Sequence, residues 1–228
     1  MSSPARIGRQ AVLRAIELFY GPLAPLYPLL TRLLFGSEWH EWRRSVEPWI
    51  DGADLVADIG CGPAELAAEL ADEGRRVIAI DRSPAMLRVA RRHTGRRARG
   101  GRLWLLCADA RVLPLRDRTL DAVVMTYPTA VFLDASTHSE IARVLRPDGV
   151  FVAVVGVRPK RWPLWLRPCV PLLRRIVSLD PADPASAWLV PPTPGFVSGN
   201  WIRYEHPTGT LLLWLARAAG SSGDGHSQ

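Results

Sequence analysis

The chain is poor in the residues that build covalent or metal-held scaffolds. Its 228 residues include three cysteines, Cys61, Cys107 and Cys169, which lie far apart with no Cys-x-x-Cys pair and no neighbouring pair of histidines. This spacing argues against a disulfide framework and against a zinc site, so we expect no bound metal. So few cysteines fit a reducing compartment, and a cytoplasmic location is predicted.

Long apolar runs are also missing. The most apolar uncharged stretch, Leu18 to Thr31, is interrupted by Pro22, Pro25 and Pro28, and the stretch from Pro184 to Ile202 is broken by prolines, glycines and serines. Neither approaches the roughly 20 continuous apolar residues that a membrane-spanning helix needs. No signal peptide is visible. The sequence therefore predicts a protein that is soluble or lies on a surface.

Acidic residues are the third shortage. Asp and Glu number 22 against 29 Lys and Arg, for a net charge of +7. Such a balance is compatible with nucleic acid, an anionic membrane surface or acidic substrates, and it does not choose among them. The stretch from Arg82 to Arg102 holds eight arginines and no acid. We interpret it as the solvated face of a helix and its loop, with a nucleic-acid patch as the less favoured alternative.

The chain does contain a regular alternation of strand and helix patterns between residues 54 and 156. Nearly continuous apolar strands alternating with helices are typical of a parallel sheet covered on both faces. The predicted class is α/β, a Rossmann-like, doubly wound and mostly parallel sheet with a C-terminal antiparallel hairpin and a helical N-terminal lead. The predicted strands are Leu55–Ile59, Arg76–Ile80, Leu103–Cys107, Leu120–Met125 and Val150–Val155, and the helices lie near Ala64–Glu73, Pro84–His93 and Thr137–Leu145.

Four regions follow from this pattern. Residues 1–53 form a helical lead that either packs on a sheet edge or acts as a lid over the substrate, with Tyr20 and Tyr27 as pocket residues in the second case. Residues 54–156 form the core, and residues 157–219 form a substrate-side insertion and a closing hairpin. Residues 220–228 are small and polar, which predicts a disordered tail.

The core is organised around a glycine turn. The apolar run Leu55–Ile59 stops at Gly60-Cys61-Gly62, and a helix pattern begins at once. Glycine lets the backbone turn sharply and approach a ligand without a Cβ in the way, and the helix N-terminus offers free N–H groups. A dinucleotide fingerprint would need a third glycine where Glu65 stands, so a dehydrogenase is disfavoured.

Acidic residues end the next two predicted strands. Asp81 follows the second strand nineteen residues after Gly62, where a carboxylate can accept both hydrogen bonds of a ribose diol. Asp109 and Ala110 follow the third strand. Because the carboxyl ends of parallel strands share one edge of the sheet, we expect these residues to face the glycine turn across a nucleotide-like ligand.

Together these residues resemble the class I S-adenosylmethionine (SAM) methyltransferases, in the small-molecule branch that includes quinone and phospholipid methyltransferases. Asp58-Ile59-Gly60-Cys61-Gly62-Pro63-Ala64 is similar to that family's first motif, with Ala64 in place of a third glycine, a mild departure because alanine is small and helix-compatible. Arg146-Pro147-Asp148-Gly149 is similar to its turn into strand five, with Asp148 replacing a glycine. The resemblance implies SAM as cofactor, bound by Asp58, Gly60, Cys61, Gly62, Asp81, Arg82, Met86, Asp109, Ala110 and Thr126.

The resemblance implies methyl transfer to a small, lipophilic acceptor by in-line displacement. Thr126-Tyr127-Pro128-Thr129 stands where methyltransferases of base amino groups or glutamine carry Asn-Pro-Pro-Tyr, which argues against that branch. A nucleic-acid methyltransferase and a non-catalytic SAM-binding protein remain as alternatives. No catalytic residue is identified, and the weak candidates are Tyr20, Tyr27, His138 and His206.

One further segment suggests a peripheral membrane contact. Between Arg158 and Val177, tryptophans and leucines alternate with six basic residues and no acid. Tryptophan favours the membrane interface, and basic residues are attracted to anionic lipid. The alternative is a packed insertion, because its prolines prevent one continuous amphipathic helix. The oligomeric state is not predicted.

Overall fold

A computed structural model describes residues 24–95, 100–128, 130–161 and 193–220. Residues 1–23 of the N-terminal lead, which include Tyr20, residues 162–177 of the basic segment and residues 221–228 of the predicted tail lie outside the described residues. The described helices are α1 (Tyr27–Phe35), α2 (Glu38–Arg44), α3 (Glu65–Asp72), α4 (Pro84–Thr94) and α5 (Ala135–Val144), and the strands are β1 (Leu55–Ile59), β2 (Arg76–Asp81), β3 (Leu103–Cys107), β4 (Leu120–Thr126), β5 (Leu145–Pro159), β6 (Phe196–His206) and β7 (Gly209–Ala218).

The described strands form one seven-stranded sheet in the order β3-β2-β1-β4-β5-β7-β6. Strands β1 to β5 pair in parallel, and β7 pairs antiparallel with both β5 and β6. The chain therefore starts at the centre, winds outward to β3, returns to β4 and closes with a hairpin. This order confirms the predicted α/β class and its antiparallel C-terminal hairpin.

Alternate residues of the central strands supply two apolar layers, one on each face of the sheet. Val56 and Val124 pack with α2, α3 and α4, whereas Ala57 and Val123 pack with α5 on the other face. In the β1–β4 register, Ala57 lies directly beside Val123. Val56 and Val124 are diagonal neighbours on the other face, because Val56 lies beside Ala122. Helices on both faces explain why these strands are apolar at nearly every position.

Strand bounds agree with the sequence prediction most closely for β1 and β3. Strands β1 and β3 begin and end at the predicted residues. Strand β5 runs further than predicted at both ends, from Leu145 to Pro159: it begins where Leu145 pairs with Leu120 of β4, and it pairs with β7 as far as the Pro159–Gly209 pair. A partner strand on the outer side thus extends β5 beyond its apolar run.

The described part of the N-terminal lead is helical but interrupted. Helix α2 ends at Arg44, and a separate 3-10 turn covers Glu47–Trp49. Pro48 explains the break, because it has no N–H to donate to the carbonyl one turn earlier. Helix α2 is nevertheless firmly held: Trp42 is fully buried, and its indole N–H donates to Thr208 Oγ1 at 2.8 Å in the β6–β7 turn.

Candidate cofactor site

The glycine turn after β1 has the backbone conformation that the sequence predicted. Gly60 and Gly62 have φ of 74° and 52°, in the left-handed region that favours glycine. The amides of Gly60 and Cys61 donate to the carbonyl of Ile80 at 2.8 and 3.0 Å. A Cβ added to either glycine would meet no atom within 4 Å. The turn therefore presents bare backbone to open space beside β2.

Asp81 at the end of β2 is fixed by two backbone amides. Gly62 N–H donates to Oδ2 at 2.8 Å and Ser83 N–H donates to Oδ1 at 2.7 Å. Burial raises the pKa of this carboxyl, while the two amides act in the opposite direction. Each oxygen retains a second lone pair. Asp81 thus joins the glycine turn to the tip of β2 and keeps acceptor capacity for a ligand.

Ala64, in place of a third glycine, has a left-handed backbone with φ 57° and ψ 35°. The sequence analysis expected alanine to be tolerated here because it fits a helix. That reason is wrong, since Ala64 precedes α3 and is not helical. Its methyl group is fully buried in the core. An alanine in this conformation carries strain on the order of 1–2 kcal/mol, which packing of the methyl offsets. Asp148, the other glycine replacement, also has a positive φ of 62°.

Asp109 after β3 is held by its neighbour Arg111. Oδ1 accepts from the Arg111 backbone N–H at 3.0 Å and from Nε at 2.9 Å, and Oδ2 accepts from Nη2 at 2.6 Å. These contacts lower the pKa of Asp109 to about 2. Because Oδ1 already has two donors, Oδ2 is the oxygen with capacity for a ligand N–H. Ala110 is buried behind it.

Asp58 is the most buried acid of the predicted set, at 1% exposure. Its Oδ1 has no hydrogen-bond partner. Burial raises the pKa of Asp58 to about 7, although the positive charge of Arg43 acts against the shift. Cys61 beside it is also buried, and desolvation raises the pKa of its thiol. A buried thiol of this kind suits a packed side chain and not a nucleophile.

The remaining predicted cofactor residues border the same edge of the sheet. Arg82 is exposed and directly follows Asp81, and Thr126 is half-buried at the end of β4. Met86 is fully buried at the start of α4, in a small cluster with Ala24 and Val89. Ala24, in the N-terminal lead, thus covers the helix that the resemblance assigns to the adenine side.

The structure separates the catalytic candidates. His138 is fully buried on α5, where its Nε2 lies 2.7 Å from the carbonyl oxygen of Phe132. It therefore has no surface that an acceptor could meet. His206 lies at the β6–β7 turn, 3.0 Å from Thr208 Oγ1. Tyr27 begins α1, and Tyr20 lies outside the described residues.

Three residues that the sequence analysis did not select lie near the end of β4. Tyr127 follows β4 with φ of 50°, unusual for a bulky side chain, and its hydroxyl is buried without a partner. Trp39 of α2 stacks on the Tyr127 ring at 4.1 Å between centroids. Arg43, one helical turn later, donates to Glu65 Oε2 at 2.6 Å. Single aromatic and basic residues form no recognisable sequence motif. Only the positive φ of Tyr127 and the contacts of Trp39 and Arg43 identify these three as candidate site residues.

The residues present fit SAM. The bare glycine backbone has room for a ligand, Asp81 and Asp109 each have acceptor capacity left, and the partnerless Asp58 oxygen can accept from an ammonium. All four features lie at the carboxyl ends of β1, β2 and β3, where ligands bind in sheets of this kind.

Comparisons with known proteins agree with this geometry. Residues 56–149 match a family model described as a methyltransferase domain. A demethylmenaquinone methyltransferase from Thermus thermophilus is 36% identical over 59% of this chain and 63% of its own length. One from Symbiobacterium thermophilum is 31% identical over 63% of this chain and 59% of its own length. The matched segment thus spans about three fifths of these relatives.

Solved structures show the same fold. A putative SAM-dependent methyltransferase from Methanococcus maripaludis covers 98% of this chain, and the chain covers 99% of it, with a TM-score of 0.57 and 18% identity. The geranyl diphosphate C-methyltransferase of Streptomyces coelicolor was solved with S-adenosyl-L-homocysteine. Its alignment with this protein covers 79% of this chain and 76% of the methyltransferase, with a TM-score of 0.56 and 13% identity. The family-model match is confined to residues 56–149, and the chain shares the fold of these solved methyltransferases.

Proposed function

We propose that this protein transfers the methyl group of SAM to a small, lipophilic acceptor. The observation that carries the proposal is the open glycine turn bonded to Asp81, with Asp58 and Asp109 at the neighbouring strand ends. The names of the relatives, which are demethylmenaquinone methyltransferases, support a lipophilic quinone-like acceptor.

SAM supplies a sulfonium-bound methyl group that is already electrophilic, so the protein mainly positions the reactants and excludes water. Asp81 accepts from the ribose hydroxyls, and Asp109 Oδ2 accepts from the adenine amino group. The stacked rings of Phe35, Trp39 and Tyr127 form an apolar wall beside the end of β4. Such a wall keeps water from the acceptor side and suits a lipophilic molecule better than a charged one.

A membrane contact is part of the proposal. Its support is the basic, tryptophan-rich composition of residues 158–177, which lie mostly outside the described residues. Helix α1 and the turn before it add apolar surface: Leu26, Leu29 and Leu33 are 50%, 65% and 63% exposed. In the described ranges, no helix combines the length and the apolarity needed to cross a bilayer. A peripheral contact would let an acceptor dissolved in lipid enter directly.

Two experiments test these proposals. Labelled SAM is incubated with the protein and a lipid extract, a polar metabolite extract or RNA, with Asp81→Ala as the control protein. We expect label in the lipid extract only, and label found only in RNA would contradict the acceptor class. Co-sedimentation with anionic and neutral vesicles at low and high salt tests the membrane contact. We expect salt-sensitive binding to anionic vesicles, and equal or absent binding to both would contradict it.

A further inference from the structure

An exposed apolar surface lies at the start of the described chain. Leu26 ends a 3-10 turn, and Leu29 and Leu33 lie four residues apart on α1, so the latter two share one side of that helix. All three side chains are at least half exposed. Residues 24–35 contain no acidic residue. Neighbouring large apolar side chains that face solvent indicate an interaction site.

Helix α4 carries a basic surface. Arg88, Arg91 and Arg92 are exposed and, at spacings of three and four, share the outer side of the helix. In the described part of the chain none of the three is paired with an acid, whereas both arginines of α2 pair with glutamates. Residues 82–102 hold eight arginines and no acid, so no acidic neighbour in sequence offsets this charge.

Packing of the N-terminal lead on α4 brings the two surfaces together. Ala24 is fully buried against Met86 and Val89 of α4, and Leu26 follows two residues later. Arg92 lies one helical turn after Val89, so the arginines border the point at which the lead contacts α4. The result is one surface with an apolar part on the lead and a cationic part on α4.

We infer that the lead and α4 form a docking surface for an anionic lipid bilayer. The leucines enter the acyl boundary, and the arginines lie among the anionic headgroups. The inference rests on the proposed function and deepens it, because it assigns the membrane contact to a folded surface and specifies the charge of the lipid. This surface, called the lead–α4 surface, consists of Leu26, Leu29, Leu33, Arg88, Arg91 and Arg92.

The lead–α4 surface is well placed for an acceptor that is dissolved in lipid. Helix α1 ends at Phe35, whose ring stacks on Trp39 at 5.0 Å between centroids, and Trp39 stacks on Tyr127 at the end of β4. Helix α4 begins just after Asp81 at the cofactor edge of the sheet. Docking therefore brings the bilayer to a helix that ends at the aromatic wall, on the side where the acceptor is proposed to bind.

The exposed leucines favour a bilayer over nucleic acid as the partner. RNA would pair its phosphates with the arginines, but it offers no apolar interior in which Leu29 and Leu33 could be buried. A bilayer satisfies both parts of the surface, because its headgroups carry negative charge and its acyl chains accept apolar side chains. Nucleic-acid binding is one outcome that the experiment distinguishes.

The test measures the binding of variants to vesicles and to RNA. The α4 variant combines Arg88→Gln, Arg91→Gln and Arg92→Gln, and the α1 variant combines Leu29→Ser and Leu33→Ser. Dissociation constants are measured by co-sedimentation with phosphatidylglycerol–phosphatidylcholine vesicles and with phosphatidylcholine vesicles, each at low and high salt. Binding to RNA of random sequence is measured in parallel.

A matched control removes the same charge elsewhere on the molecule. Arg116, Arg118 and Arg217 are also exposed, and they lie near the amino ends of β4 and β5, away from the cofactor edge of the sheet. The control variant replaces all three by glutamine. Its net charge therefore equals that of the α4 variant, and only the position of the lost charge differs.

We expect the α4 variant to bind anionic vesicles about 100-fold more weakly at low salt, since each arginine near anionic lipid contributes a factor of about five. The control variant should stay within about two-fold of the wild type, because charges more than a Debye length from the lipid are screened. The α1 variant should bind at least about 10-fold more weakly at both salt concentrations, because salt does not screen apolar burial.

Equal weakening in the α4 and control variants would mean that net charge alone attracts the protein, and it would overturn the inference. A wild type that binds no vesicle, or an α4 variant that loses RNA binding but keeps vesicle binding, would overturn it as well. Thermal melting identifies a variant that unfolds, in which case the other variant decides. Labelled methyl transfer to a lipid extract in detergent micelles tests the proposed function separately: its absence in the wild type contradicts that function, whatever the vesicles show.

Discussion

The amide of Gly62 donates to Oδ2 of Asp81 at 2.8 Å, across nineteen residues of sequence. This hydrogen bond couples the position of the glycine turn to the position of the end of β2. The residue that is expected to bind ribose therefore also fixes the loop that is expected to lie against the rest of the cofactor.

Asp81→Ala should weaken SAM binding by about 1.5–3 kcal/mol, the scale for hydrogen bonds to a charged group. Asp121→Ala is a matched control, because Asp121 also accepts from two backbone amides, those of Asp54 and Leu55, at the opposite edge of the sheet. It should lower stability and leave affinity intact. Calorimetry and urea unfolding measure the two effects. Unchanged SAM affinity in a folded Asp81→Ala would refute the ribose assignment.

Gly62→Ala should remain folded but lose cofactor affinity. An added Cβ meets no protein atom, so the cost to stability is only the left-handed conformation, on the order of 1–2 kcal/mol. Gly52→Ala provides the comparison, since Gly52 has φ of 76°, equally open space and a place in an exposed turn. Both variants should unfold at similar urea concentrations, and only Gly62→Ala should bind SAM less tightly. Equal affinities in the two variants would show that the ligand does not approach Gly62.

His138 should make a contribution to stability that declines as pH is lowered, whereas the raised pKa of Asp58 acts in the opposite direction over the same range. Burial lowers the pKa of His138, so the unfolded chain takes up a proton more readily than the folded one. The stabilising contribution is complete above the unfolded pKa of about 6.5 and declines as pH falls from there toward the folded pKa. The urea unfolding free energy of the wild type, measured relative to that of His138→Phe, should therefore decrease as pH falls from 7 to 5. His93→Gln, at the exposed end of α4, should keep the wild-type slope. A slope unchanged in His138→Phe would contradict this account.

Arg143→Met should destabilise the protein by about 2 kcal/mol, because bonds to charged groups in a network are lost. Arg143 joins α5 to the loop after Asp109 through Glu140, Asp117 and the carbonyls of Leu113 and Leu115. Arg146→Met is the control: Arg146 makes an ion pair with Asp121 and is half exposed, which predicts less than about 1 kcal/mol. Urea unfolding measures both. The prediction fails if the two variants are equally stable.

The sequence was sufficient for the parts of the fold that local pattern determines. Strands β1 and β3 were predicted with their observed ends because apolar runs there stop at turn-forming or acidic residues. The glycine turn and Asp81 were identified because spacing and chemistry coincide. Contacts between distant segments were not predictable. Nothing local shows that Trp42 bonds Thr208, or that Arg43 lies near Asp58. The burial of His138, a candidate catalytic residue, was not predictable for a related reason. It depends on Phe132, Phe151 and Phe196, which pack around His138 in the folded chain.

The bond from Trp42 to Thr208 has a consequence for how the protein is made. The two residues are 166 positions apart, and β7, which carries the chain away from that turn, lies between β5 and β6. During synthesis α2 emerges long before the β6–β7 hairpin that anchors it. We therefore expect nascent chains that stop before β7 to leave α2 undocked. Arg43 and Trp39, on that helix, would then reach their places only after the hairpin has left the ribosome.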